Sequence, residues 1–160
     1  MSDAACLTTV AEVAENLAFL MPIGPAETRP ASWHLQVEVQ WAGPDGSRGR
    51  IIVALDRGAA EATAANLLGL GPGEIPAEQD SLEACNELAN VIAGNLLPVL
   101  YGEDHEFHLV PPEPVPLAPL IGRTVLWLAL VEGVIGVAIQ GDADNTRILK
   151  AVRIPPVPQP

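Results

Sequence analysis

"WHLQVEVQWAGPDGSRGRIIVAL", residues 33–55, decides the fold class. Apolar and polar residues alternate from Trp33 to Trp41. Trp33, Leu35, Val37, Val39 and Trp41 fall on one side, and His34, Gln36, Glu38 and Gln40 on the other. Successive side chains of a strand point to opposite faces, so this is a strand with one face in a core and its polar face, His34 included, in solvent. "GPDGSRG", residues 43–49, is turn chemistry, and "RIIVAL", residues 50–55, returns as the second arm. Two strands joined this closely pair antiparallel.

The same signals recur downstream. "RTVLWLALV" and "VIGVAIQ" flank Glu132-Gly133 and form a second hairpin, while "EFHLVPPEPVP", residues 106–116, is a short strand broken by prolines. Helical periodicity marks three other segments. "TVAEVAENLAFLM", residues 9–21, places Val10, Val13, Leu17 and Leu20 at helical intervals. Its Thr9 and Glu12 have capping-box spacing, and Pro22 and Pro25 end it before a loop over 24–32. "DRGAAEATAANLLGLG", residues 56–71, is Ala-rich with Gly69 as its stop. "DSLEACNELANVIAGNLLPVL", residues 80–100, is the third, with Asp80 or Ser81 as cap. The order is helix, two strands, two helices, then about three strands. Strands and helices kept in separate runs indicate an α+β fold, an antiparallel sheet packed against two or three helices. One domain over residues 1–154 is expected, followed by a proline-rich tail at 155–160.

Composition narrows the function classes. The chain has 160 residues, 49% of them hydrophobic and 18% charged, enough to build a core. Its net charge is −12, and no cluster of Lys or Arg is present to displace counterions from nucleic acid or to hold an anionic membrane. A protein partner or a small cationic ligand remains open. The run Val125–Ile139 is too short and too interrupted to span a bilayer, and "MSDAAC" lacks the basic start of a signal peptide, so a cytoplasmic protein is expected. Cys6 and Cys85 form neither a metal-type pair nor a disulfide framework, and Cys85 lies among apolar positions.

The third helix carries the least expected residues. At about 100° per residue, Glu83, Asn86, Glu87 and Asn90 fall within an arc of about 100°. Leu82, Cys85, Leu88, Ala89, Ile92 and Leu96 occupy the rest. The stripe is poorly suited to stability. Glu83 and Glu87 repel at i, i+4, costing about 0.2–0.5 kcal/mol, and Asn is a mediocre helix former. No cation at a matching spacing offsets either acid. A plain solvated face is the competing account.

This pattern resembles the CheX–CheC–FliY family of chemotaxis phosphatases, which act on the phosphorylated response regulator CheY. The family motif is an acidic residue or Ser, three residues, Glu, two residues, Asn and, further on, a Pro. Here it is met by Glu83, Glu87, Asn90 and Pro111 or Pro112. "ELANVIAGN", residues 87–95, is closest to the CheX branch. Glu83 stands where Ser or Asp is more usual, and a single Glu-x-x-Asn site is present, since Glu12, Glu15 and Asn16 lack the spacing. The resemblance implies that Asn90 orients the attacking water and Glu87 contacts the response regulator's active-site lysine. Glu83 and Asn86 would then line the partner-binding edge. It implies no cofactor of the chain's own, Mg2+ in the partner's site, and a homodimer, for which the apolar strands 125–131 and 134–139 offer an edge. A CheX-like module that binds a receiver domain or a flagellar-switch protein without hydrolysis is the alternative.

Other candidates are weaker. His105 and His108, with Glu103, Asp104 and Glu106, are spaced poorly for one metal ion. "GLGPGE", residues 69–74, has no Lys and does not follow a strand, so it is no phosphate loop. Ser2, Ser32, Ser47 and Ser81 lie in no nucleophile motif.

Overall fold

The structure, a computed structural model, describes residues 3–44 and 46–141. The chain runs α1 (Asp3–Ala18), β1 (Pro22–Pro25), β2 (Leu35–Ala42), β3 (Arg48–Leu55), α2 (Arg57–Leu68), α3 (Glu78–Tyr101), β4 (His108–Leu109), β5 (Glu113–Pro114), β6 (Thr124–Leu130) and β7 (Val134–Gln140). The expected α+β architecture is present. The seven strands form one sheet in the order β1-β6-β7-β3-β2-β4, with β5 also on β2, and every pair is antiparallel. The expected tail at 155–160, and the part of the expected domain beyond residue 141, lie outside the described residues.

Register builds the core. Val37, Val53, Val137 and Leu126 are paired in one row across β2, β3, β7 and β6, and Leu35, Leu55, Ile135 and Leu128 in another. Because side chains alternate, both rows present one face of the sheet, and the helices cover it with Val10, Ala14, Leu88, Ile92 and Leu96. α3 packs against both α1 and α2.

Local chemistry sets the helix ends. Asp56 caps α2, its Oδ1 accepting from Ala59 N–H at 2.9 Å. Gly69 ends α2 at φ 67, as the sequence predicts, because the left-handed region costs glycine nothing. The other two helices start earlier than their patterns indicate. α1 begins at Asp3, so Thr9 is an interior residue, and its Oγ1 donates to Ala5 O at 3.1 Å instead of capping. The extra turn is retained because it buries Cys6. α3 begins at Glu78 after Ala77, which makes no side-chain cap, so neither Asp80 nor Ser81 caps it. Ser81 is buried inside the helix.

Three strand expectations change. Residues 22–25, expected as helix stop and loop, form β1 at the edge of the sheet, where a proline's missing N–H costs no ladder bond. The polar face of β2 is covered, not solvated: Gln36 is 2% exposed and Glu38 9%. The segment over 115–123 covers it, pinned by Gln36 Nε2 to Ala118 O at 2.6 Å, while Glu38 pairs with Arg50 at 3.3 Å. Finally, β7 lies between β6 and β3, and β1 pairs with β6 over Leu128–Leu130, so residues 134–139 leave no free edge and residues 125–131 leave less than expected.

Candidate functional site

α3 is a helix of 24 residues whose core side is continuous: Ala84, Cys85, Leu88, Ala89, Ile92, Ala93, Leu96 and Leu97 are all buried. Burying that side against the sheet and both neighbouring helices fixes the rotation of the helix. The opposite side is then determined. Glu83 and Glu87 are exposed, Asn90 is half-buried at the surface, and Gly94 is exposed one turn further on. The stripe read from the sequence therefore exists as a surface ridge. Glu87 and Asn90 lie three residues apart, one helical turn, and face the same way.

Their bonding is as informative as their position. Among the described residues neither the Glu87 nor the Asn90 side chain has a hydrogen bond or ion pair. Glu83 Oε1 accepts from Gln79 Nε2 at 3.2 Å, so it is tied to its own helix. Asn86 is half-buried, and its Oδ1 is covered with no hydrogen-bond partner among the described residues. Of the four predicted residues, Glu87 and Asn90 are the pair left free at the surface. Glu87 supplies a carboxylate, an acceptor. Asn90 supplies both a donor and an acceptor on one planar group. A rigid helix that carries such a pair on an open ridge can enter another molecule's cleft without rearranging.

The proline segment approaches this ridge. Leu109 of β4 lies beside Gly94, where a Cβ would sit 3.8 Å from Leu109 Cδ1. Pro111 and Pro112 follow between β4 and β5, and β5 lies in contact range of α3.

The remaining candidates do not assemble. Among the described residues no three His, Cys, Asp or Glu side chains converge to hold a metal ion. His105 instead packs edge-on to Phe107 at 6.3 Å, in a cluster with Trp41 and Tyr101. His34, expected on an open strand face, is half-buried in a shallow cleft of about 390 Å3 with Trp33, Asp56 and Arg57. Burial pushes the Cys85 thiol up to about 12, so it remains protonated and unreactive at neutral pH. Among the described residues no helix is long and apolar enough to cross a membrane.

Sequence reasoning missed what lies beside the ridge. Thr9, Glu12, Val13, Asn16 and Leu17 of α1 meet Val91 and Asn95 of α3 around a groove of about 340 Å3. Glu12 and Asn16 fail the Glu-x-x-Asn spacing, and no local signal places α1 next to α3.

Residues 39–119 match the family model described as chemotaxis phosphatase CheX. That span contains the whole of α3 and both prolines. No curated protein matches the chain in sequence. Among solved structures, the chain is similar to the chemotaxis protein CheX of Vibrio vulnificus at 19% identity and TM-score 0.65, over 86% of this chain and 93% of that one. It is similar to a CheC-like superfamily protein from a Shewanella species at 17% identity and TM-score 0.65, over 89% and 100%. It is also similar to the CheX of Borrelia burgdorferi, solved in complex with CheY, BeF3 and Mg2+, at 21% identity and TM-score 0.57, over 84% and 95%. At these identities the solved structures establish a shared fold.

Proposed function

This chain belongs to the CheX family of chemotaxis phosphatases, and on that premise we propose that it hydrolyses the aspartyl phosphate of a CheY-like response regulator. The observation that carries the proposal is the unpaired Glu87–Asn90 pair on the exposed ridge of α3. Each group lacks a side-chain partner among the described residues and suits one in an aspartyl-phosphate site.

The chemistry asks little of this chain. An acyl phosphate is already activated, and Mg2+ in the partner's site neutralises the phosphoryl oxygens. A water must be held in line with the leaving carboxylate. The Asn90 carboxamide accepts a hydrogen bond from that water and directs its lone pair at phosphorus, as a glutamine does in GTP hydrolysis. The new P–O bond forms, the bond to the aspartyl oxygen breaks, and the aspartate leaves as a carboxylate with inorganic phosphate as product. Glu87 meets the partner's active-site lysine, which fixes Asn90 against the phosphoryl group. Glu83 and Asn86 flank the pair along the docking edge. Positioning of this kind contributes up to about 7–11 kcal/mol when the geometry is right. No cofactor of the chain's own enters the scheme.

A homodimer belongs to the same proposal. With β7 interior and β6 partly covered by β1, its apolar contact falls at the β1 edge, where Phe19, Met21, Ile23 and Val131 are 59–70% exposed.

The test is the decay of phosphorylated CheY-like regulators from the same organism, with this protein and with its Asn90→Ala form. Acceleration by the parent alone supports the proposal. Binding without acceleration across all regulators leaves the non-catalytic module.

A further inference from the structure

The α1–α3 groove has a chemistry of its own. Its floor is apolar, made by Val13, Leu17 and Val91. Its rim is rich in acceptors: the Glu12 carboxylate, the Thr9 hydroxyl and the side-chain carbonyls of Asn16 and Asn95. Asn95 Nδ2 donates one of its two N–H groups to Val91 O at 2.7 Å, and its Oδ1 is an acceptor. The Thr9 hydroxyl donates to Ala5 O at 3.1 Å, which leaves its lone pairs. Glu12 is exposed and makes no ion pair among the described residues. The Asn16 amide and the second N–H of Asn95 add donors to the rim.

Charge points the same way. α1 carries Asp3, Glu12 and Glu15, and α3 carries Glu78, Asp80, Glu83 and Glu87, while neither helix has a Lys or Arg. No cation on either helix can fill the groove. The groove is also continuous with the ridge: Val91 adjoins Asn90, and Asn95 lies one turn beyond Val91 on the side facing α1. An apolar floor under a ring of acceptors fits one kind of side chain, an alkyl stem with a cationic end.

We propose that this groove is a second docking subsite for the same partner, receiving a Lys or Arg side chain that flanks the response regulator's phosphorylation site. The stem lies on Val13, Leu17 and Val91, and the charge reaches Glu12 and Asn95. This rests on the phosphatase reading of Glu87 and Asn90 and adds α1 to it. The groove acts on binding and selectivity, while the water-orienting step stays with Asn90.

The experiment measures KM and kcat for dephosphorylation, and the affinity for a BeF3-activated regulator, in the full chain and in Glu12→Lys, Glu12→Gln and Glu15→Lys. Glu15 is on the same helix but does not line the groove, so Glu15→Lys makes the same charge change outside it. Glu12→Lys is expected to raise KM and weaken binding about tenfold or more at unchanged kcat, with Glu12→Gln intermediate and Glu15→Lys near the parent. Equal effects of Glu12→Lys and Glu15→Lys would replace the groove with a diffuse field and overturn the proposal. So would a parent that turns over normally and is indifferent to Glu12→Lys. A parent that binds but does not turn over would sink the catalytic reading, and the groove would then stand or fall on the binding series. A parent that binds no regulator would overturn both.

Discussion

Trp33 stacks on Trp127 with ring centroids 5.5 Å apart and planes at 14°, on the face of the sheet that the helices leave open. Arg29 adds its guanidinium 4.4 Å from the Trp127 ring. The stack needs Gly136 beneath it. A Cβ there would lie 2.7 Å from Leu120 Cδ1 and 2.8 Å from the Trp33 ring. Gly136→Ala should therefore destabilise the fold by about 1–3 kcal/mol through overpacking, read as a lower urea midpoint. An unchanged midpoint would show that the stack yields easily and is not holding the sheet's second face.

Asn90→Ala separates catalysis from folding. The Asn90 side chain has no hydrogen-bond partner among the described residues, and Ala is the better helix former, so stability should stay within about 0.5 kcal/mol of the parent. Dephosphorylation should fall by about a hundredfold or more. Thermal denaturation alongside single-turnover decay checks both. A large loss of stability would assign Asn90 a structural role.

Glu87→Lys should act on engagement. It places a cation opposite the partner's lysine, so binding of a BeF3-activated regulator should weaken about tenfold or more. The variant should also fold at least as well, because the Glu83–Glu87 repulsion becomes an i, i+4 attraction. Calorimetric titration would decide it, and unaltered affinity would remove Glu87 from the interface.

Cys85 makes stability fall in alkali. Burial raises the thiol from 9.0 to about 12, so the folded chain holds this proton more tightly than the unfolded one. The contribution is complete below pH 9 and is lost as pH climbs from 9 towards 12, by about 1.4 kcal/mol per pH unit. Urea midpoints at pH 8 and pH 10.5 should show the decline, and Cys85→Ala should flatten it. Equal slopes in parent and variant would count against the assignment.

The dimer proposal is checked by sedimentation. Phe19→Ser and Ile23→Ser should shift the chain towards a monomer mass without unfolding it, since both side chains are exposed. A parent that stays monomeric at high concentration would discard the dimer.

Much of the candidate site was legible in the sequence because it lies on one helix. A helix repeats about every 3.6 residues, so the buried series Cys85, Leu88, Ala89, Ile92 and Leu96 leaves Glu83, Glu87 and Asn90 on the other side by geometry alone. Gly69 and the two hairpins were readable for the same local reason.

What covers what was decided elsewhere. Alternation puts Trp33 with Leu35 and Val37 in the helix-side core. The strand starts only at Leu35, however, and Trp33 turns to the opposite face to meet Trp127. Gln36 is buried by a carbonyl 82 residues away, and the groove beside Asn90 exists because α1 lands next to α3. By itself the sequence determined the antiparallel hairpins, the helix stop at Gly69 and the polar ridge, because each follows from spacing within one element. Tertiary structure alone decided which ridge neighbours form a groove, which strands lie inside the sheet and which polar face is buried. Those depend on contacts between segments far apart in the chain, for which local periodicity carries no information.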